Sequence, residues 1–176
     1  MKKRVLLLVA IVAIAFTSCT VSNEEPDNGF QVDATNFKGN ITEGTVTLNA
    51  GVEYNLTGAL VVEAGAKLVI PAGTVIKASG GTSSYIAVAQ GAQIFIDGTA
   101  TNPVVMTSSK ATPAPADWGG LVICGKAPTN KGETATAEVS DLTYGGSVTN
   151  DNSGSVRYLR VEYRGATFNG SKEFNG

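Results

Sequence analysis

Apolar positions after residue 36 recur in short segments that either alternate with polar residues or run without a break. These segments are rich in Val, Ile and Thr, and Gly, Pro, Asn or Asp separates them. This pattern is typical of short strands joined by tight turns, and the i, i+3, i+4, i+7 spacing of a surface helix does not occur there. The sequence predicts an all-β domain with strands at 45–48, 52–56, 59–63, 67–70, 74–77, 85–89, 93–96, 104–107, 121–124 and 156–163.

An internal repeat narrows the fold class. Residues 60–70, LVVEAGAKLVI, align with residues 86–96, IAVAQGAQIFI, at an offset of 26, and residues 46–52 read as a fainter copy. Each unit is a strand, a Gly-Ala corner and a second strand, which cannot bury its apolar face alone. Stacked units bury a continuous core, so the repeat predicts a parallel β-helix. A β-sandwich, which also has short strands, is the alternative.

Two polar segments interrupt the repeat. Residues 108–117 contain Pro113 and Pro115 and are expected to form a surface loop. Residues 125–155 form a longer segment rich in Gly, Thr, Asn and Asp. Long loops in compact domains are usually functional or mobile. The second loop is therefore the first candidate for a recognition surface.

The N-terminus has a different pattern. Lys2, Lys3 and Arg4 precede an apolar run over residues 5–16, which is too short to span a bilayer and is typical of a signal peptide. The ending, Phe-Thr-Ser before Cys19, resembles the lipobox of bacterial lipoproteins, although Phe16 departs from its usual leucine. We expect residues 1–18 to be removed and Cys19 to be lipidated. An ordinary signal peptide with a chance cysteine is the alternative.

Residues 19–36 are polar and carry Glu24, Glu25 and Asp27, so they are expected to form an acidic, flexible tether. The formal net charge of the chain is −2, and loss of the three basic residues of the signal lowers it by three units to −5. An acidic domain lacks the basic face that nucleic acid requires. Nucleic acid is thus not an expected partner. The first expected partner is the membrane, because Cys19 is expected to carry the lipid.

A series of motifs occurs in order: GTATNPV from Gly98, DWGGLVI from Asp117, GKAPTN from Gly125, YGG from Tyr144, and VRYLRVEY from Val156. Together they resemble a family of Bacteroidetes cell-surface lipoproteins with a right-handed parallel β-helix, mostly of unknown function. The resemblance covers residues 40–176. It implies that residues 37–176 form the β-helix, continued in longer members, and we expect this chain to be an N-terminal part. The acidic tether resembles the signal for export to the outer face of the outer membrane.

The residue types of the chain give little support for a catalytic function. The chain has no histidine, and Cys124 lies in an apolar run where a buried packing role is expected. The acids closest to turns show no calcium-loop spacing, so no catalytic residue, metal or cofactor is predicted. The alternative is an N-terminal part of a polysaccharide lyase or hydrolase whose catalytic acids lie beyond residue 176.

Four residues are candidates for ligand binding. Arg160, Glu162 and Arg164 alternate with apolar residues and are predicted to share one strand face, as a patch for an acidic glycan or as an ordinary charged outer face. Trp118 offers a flat ring for sugar stacking, or else a buried corner residue. The favoured function is a membrane-anchored binding, adhesion or structural module whose partner is a glycan or a cell-surface protein.

Overall fold

The computed structural model describes residues 29–130, 132–138, 141–170 and 172–174. The predicted signal, Cys19 and the tether up to residue 28 lie outside the described residues. The described residues form strands and turns without a helix. The strands are β1 Phe37–Ile41, β2 Thr45–Thr47, β3 Glu53–Val62, β4 Lys67–Pro71, β5 Val75–Ala78, β6 Gly81–Val88, β7 Gln93–Asp97, β8 Val104–Ser108, β9 Trp118–Ile123, β10 Ala135–Thr136, β11 Thr143–Tyr144, β12 Gly154–Arg157, β13 Leu159–Val161, β14 Thr167–Asn169 and β15 Lys172–Glu173.

The strands stack into three parallel faces that the chain visits in rotation. Face one consists of β2, β4, β7 and β12. Face two consists of the first half of β3 with β5, β8 and β13. Face three consists of β1, the second half of β3, β6 and β9. Successive strands on each face pair in parallel, whereas a sandwich is built from antiparallel sheets. The predicted parallel β-helix is confirmed.

The repeat at an offset of 26 residues is confirmed by the strand register. Leu60 lies opposite Ile86 on face three, and Leu68 lies opposite Ile94 on face one. All four side chains point inward and are at most 1% exposed. Since burying one such side chain stabilises the folded state by about 1.5–3 kcal/mol, these internal stacks are the main source of stability.

Residues 46–52, read as a fainter copy, do not repeat the unit from its first strand. Val46 lies opposite Leu68, the second strand of the unit, while Gly39 of β1 lies opposite Leu60. Thr45 pairs with Lys67, so this first coil is 22 residues long on face one. The offset between successive coils is therefore not constant along the helix.

The N-terminal end of the helix is covered by residues 30–36. The ring of Phe30 packs edge-on against Phe37 with centroids 6.4 Å apart, and Ala34 O accepts a hydrogen bond from Asn55 N at 2.7 Å. Phe30 and Ala34 both pack against the core. The described end of the predicted tether therefore belongs to the folded domain, because Phe30 gains apolar contacts there.

The single strand predicted at 156–163 is two strands on different faces. Tyr158, with a φ of +46°, separates β12 from β13. β12 pairs with β7 on face one, and β13 pairs with β8 on face two. A left-handed residue turns the chain through a corner within one position, which an alternating pattern alone does not reveal.

Candidate binding surfaces

Arg160 and Glu162 lie side by side on the outer surface of face two, as the alternation predicted. Their side chains form an ion pair, and Thr107 Oγ1 donates a hydrogen bond to Glu162 Oε2 at 2.9 Å. The hydrogen bond from Thr107, and then that from Arg160, hold the pKa of Glu162 below its ordinary value. Glu162 is therefore a fixed negative charge at neutral pH.

Arg164 does not share that face, which differs from the prediction. Tyr163 has a φ of +57° and turns the chain out of face two. The aliphatic part of Arg164 lies over Gly120, where an added Cβ would be 3.3 Å from Arg164 Cβ. Gly120 also has a φ of +116°, a backbone conformation that favours glycine beneath the arginine.

Trp118 is fully buried among the core residues at the start of β9. Its indole Nε1 donates a hydrogen bond to Glu162 O at 2.8 Å. A ring without exposed surface offers no face to a sugar. The structure thus gives Trp118 the corner-packing role that was the alternative, with its N–H joining two neighbouring coils.

One coil gathers arginine and tyrosine side chains that the sequence analysis treated only in part. This arginine coil, residues 157–164, carries Arg157, Arg160 and Arg164 together with Tyr158 and Tyr163. Tyr158 is 60% exposed and Tyr163 is 39% exposed. Arg157 and Arg164 form no ion pair with any described residue.

The outer surface of face one carries an aromatic residue that the sequence analysis missed. Val69 and Phe95 are in register and face outward between buried neighbours. Phe95 is partly exposed, with Gln93 and Asp97 on the same side of its strand, and Arg157 lies opposite Asp97 on the next coil. We call Val69, Gln93, Phe95, Asp97 and Arg157 the aromatic face. The alternation of β7, with Ile94 and Ile96 inward, was the signal for it.

The long polar segment is tied to the helix at its base. Gln90 Nε2 donates hydrogen bonds to Gly125 O at 2.9 Å and to Gly145 O at 2.6 Å. Asp151 Oδ2 accepts a hydrogen bond from Lys126 N at 2.9 Å. Between these contacts the segment contains the antiparallel pair β10 and β11. Its base is held in a defined position at the corner between faces three and one.

A buried polar cluster closes the shorter loop. Asp117 accepts hydrogen bonds from Lys110 Nζ at 2.6 Å, from Ser108 Oγ at 2.6 Å and from Ala114 N at 2.9 Å. These bonds, with that from Lys110 the largest cause, lower the pKa of Asp117 to about 2. A carboxylate with so low a pKa is a weak base, so the cluster holds the loop closed rather than transferring protons.

The comparison with protein families agrees with this architecture. The model of a family described as a pectate-lyase-like β-helix domain matches residues 39–176. The chain belongs to this family. No curated protein and no solved structure matches it. The matched range includes all the strands of the three faces except the first two residues of β1.

Membership of this family establishes the fold. Whether the protein binds or transforms a ligand depends on the side chains that the fold displays. The described residues contain no group of three or more Cys, Asp or Glu side chains placed to hold a metal ion. Cys124 is buried as predicted, and burial raises the pKa of its thiol. Within the described ranges no helix is long and apolar enough to cross a membrane.

Proposed function

We propose that this chain is a lipid-anchored protein of the bacterial cell surface whose β-helix binds glycans through the aromatic face. The observation that carries the proposal is the outward position of Phe95 on a parallel sheet, with Gln93 and Asp97 beside it and Arg157 on the next coil. The family to which the chain belongs is compatible with a carbohydrate-related module.

The physical basis is the match between the aromatic face and a sugar ring. A pyranose has an apolar face of C–H groups and an edge of hydroxyl groups. Phe95 and Val69 supply adjacent apolar surface in register across two coils. Gln93, Asp97 and Arg157 supply an amide, a carboxylate and a guanidinium, which between them donate and accept hydrogen bonds. Small-ligand sites usually combine an apolar centre with a small number of polar groups.

The stacked strands also set the length scale of a ligand. Adjacent coils are about 4.8 Å apart, so equivalent positions recur along the helix axis at the strand spacing. Thr47, Val69, Phe95 and Ser155 form one such outward row over four coils. A chain of sugars lying along this row meets apolar surface at its centre and hydroxyl groups at both ends.

The proposed location rests on the N-terminal sequence. Cys19 is the lipid attachment point, and the acids at residues 24, 25 and 27 direct the protein to the exterior of the outer membrane. Replacing Cys19 with alanine should release the protein from the membrane fraction into the soluble fraction. Protease added to intact cells should degrade the wild-type protein. Protection from that protease would contradict the outward orientation.

A glycan array tests the binding proposal directly. The purified full chain is expected to bind a subset of glycans, and Phe95→Ala should lower the affinity for them at least about tenfold, or about 1.4 kcal/mol. Phe168→Ala is the matched control, because Phe168 is an exposed phenylalanine away from the aromatic face. A blank array at high protein concentration, or equal losses in both variants, would count against the aromatic face as a glycan site.

A further inference from the structure

We propose that the arginine coil is a docking site for an acidic, extended segment of a protein partner. This second surface adjoins the glycan site, and Arg157 belongs to both. The proposal rests on where the arginines lie, how Arg164 is held, and the backbone conformation of the two exposed tyrosines.

The distribution of arginine is the first observation. Apart from Arg4, every arginine of the chain lies in the eight residues of the arginine coil. The chain carries a net negative charge, so this coil is a local exception. Arg160 is neutralised by Glu162, whereas Arg157 and Arg164 have no acidic partner among the described residues. Two guanidinium groups are thus available to carboxylates, which they bind in a bidentate manner.

The seating of Arg164 is the second observation. Its Cβ, Cγ and Cδ all lie within 4.0 Å of the Cβ position that Gly120 leaves empty. Packing of the aliphatic stem restricts the side chain before any ligand arrives, which lowers the entropy cost of binding. The guanidinium is therefore presented from a preformed seat on the neighbouring coil.

The tyrosines supply the third observation. Tyr158 and Tyr163 occupy the left-handed region, with φ values of +46° and +57°. Glycine adopts this conformation without strain, whereas it is unfavourable for a residue with a bulky side chain. Their exposure of 60% and 39% limits the burial that compensates for the strain. Stability alone would favour glycine at both corners, so the tyrosine rings are present for a contact outside the fold.

The composition of the arginine coil favours a protein segment over a uniformly anionic polymer. Glu162 lies between the two tyrosine corners, and its lowered pKa keeps it charged. Its charge is balanced by Arg160, so an anionic group placed there gains no unpaired cation. A peptide can place an uncharged residue at this position, whereas a polymer with an anionic group at every repeat cannot. Tyrosine and arginine are also the residues most enriched in protein hot spots. Tyr163 follows Tyr158 by five positions, a span of at most about 17 Å.

Interferometry with the immobilised full chain tests the charge requirement. The probe is a peptide of about ten residues with Glu at both ends and uncharged residues, Tyr among them, in between. It should bind at about 50 mM salt and weaken at about 500 mM. The double variant R157Q/R164Q should lose at least about tenfold in affinity. The matched control, K38Q/K67Q, removes the same charge from exposed lysines on other coils and should bind as the wild type does.

A second variant separates the tyrosine contact from a structural role. Tyr158→Gly should bind the peptide at least about fivefold more weakly while its Tm stays equal or rises. Phe95→Ala should leave peptide binding unchanged, so failure of the glycan proposal does not affect this one. Equal losses in the arginine and lysine variants would overturn the proposal. So would a lower Tm of Tyr158→Gly with peptide binding intact.

Discussion

The hydroxyl of Ser108 donates a hydrogen bond to the carboxylate of Asp117 at 2.6 Å, and both side chains are at most 5% exposed. Ser108 ends β8 and Asp117 directly precedes β9, so the bond joins the two ends of the loop between them. Lys110 supplies the opposite charge at the loop surface. A buried carboxylate that receives three hydrogen bonds in this way links the stability of the corner to pH.

Stability should fall as the pH drops from about 4 to about 2. The folded-state pKa of Asp117 is about 2, below the ordinary value of 3.8, so the folded state favours the charged form. The stabilisation is fully present above the ordinary value and is lost as the pH falls through the folded value. Urea unfolding midpoints measured across this window should decrease for the wild type. Asp117→Asn should have a lower midpoint at pH 7 and a smaller decrease below pH 4, and an equal decrease in both would exclude Asp117 as the source.

Gly154→Ala should disrupt the pairing of β12 with β7. A Cβ at this position would lie 1.9 Å from Ile94 O, and the φ of +114° is unsuitable for alanine. The backbone of one strand must move, so we expect a loss of about 3 kcal/mol in the free energy of unfolding. Gly170→Ala is the matched control because nothing lies within 4 Å of its added Cβ. Denaturant unfolding measures both, and similar losses would contradict the register given for β12.

Trp118→Phe should destabilise the fold by about 2 kcal/mol. The variant loses the hydrogen bond from the indole to Glu162 O and leaves a small cavity in the core. Thermal unfolding should show the loss, while binding on a glycan array stays unchanged because the ring is buried. The exposed Phe168 serves as control, since Phe168→Leu should alter stability by less than about 0.5 kcal/mol. A Trp118→Phe variant with normal stability and weaker glycan binding would revive the sugar-stacking role.

Gln90→Ala should loosen the base of the long polar segment without unfolding the helix. The variant loses two hydrogen bonds to backbone carbonyls, each contributing about 1 kcal/mol. Amide exchange should accelerate at least about tenfold at Gly145, whose N–H donates to Gly125 O. Leu68 and Ile94, on the inner side of face one, should keep their protection. Gln31→Ala, at an exposed position, is the control, and unchanged exchange at Gly145 in Gln90→Ala would show that Gln90 does not hold the segment.

The sequence predicted the parts of the fold that follow from alternation within one unit. Leu60 with Ile86 and Leu68 with Ile94 were aligned correctly, because the corner between the two strands has the same length in both coils. Residues 46–52 were read as a copy of the unit, whereas Val46 pairs with its second strand at Leu68. Alternation fixes which side chains point inward, whereas register between coils depends on corner lengths that vary.

The candidate sites were harder to predict because they depend on single backbone torsions. Arg160 and Glu162 follow the strand pattern and lie together. Arg164 leaves that surface because Tyr163 adopts a positive φ, a conformation rare for tyrosine and invisible in the hydrophobic pattern. The outward position of Phe95 follows from the alternation of β7, where Ile94 and Ile96 point inward, but alternation alone does not distinguish a binding residue from an ordinary outer-face residue.

The packing of Phe30 on Phe37 limits how far the domain can stand from a bilayer. Phe30 follows the proposed lipid attachment at Cys19 by eleven positions, with ten residues between them. Even fully extended, that length reaches about 40 Å. The first coil must then stay within about 40 Å of the attachment point, and each further coil adds about 4.8 Å along the helix axis. A partner large enough to contact both surfaces has to approach the domain from the side or from above.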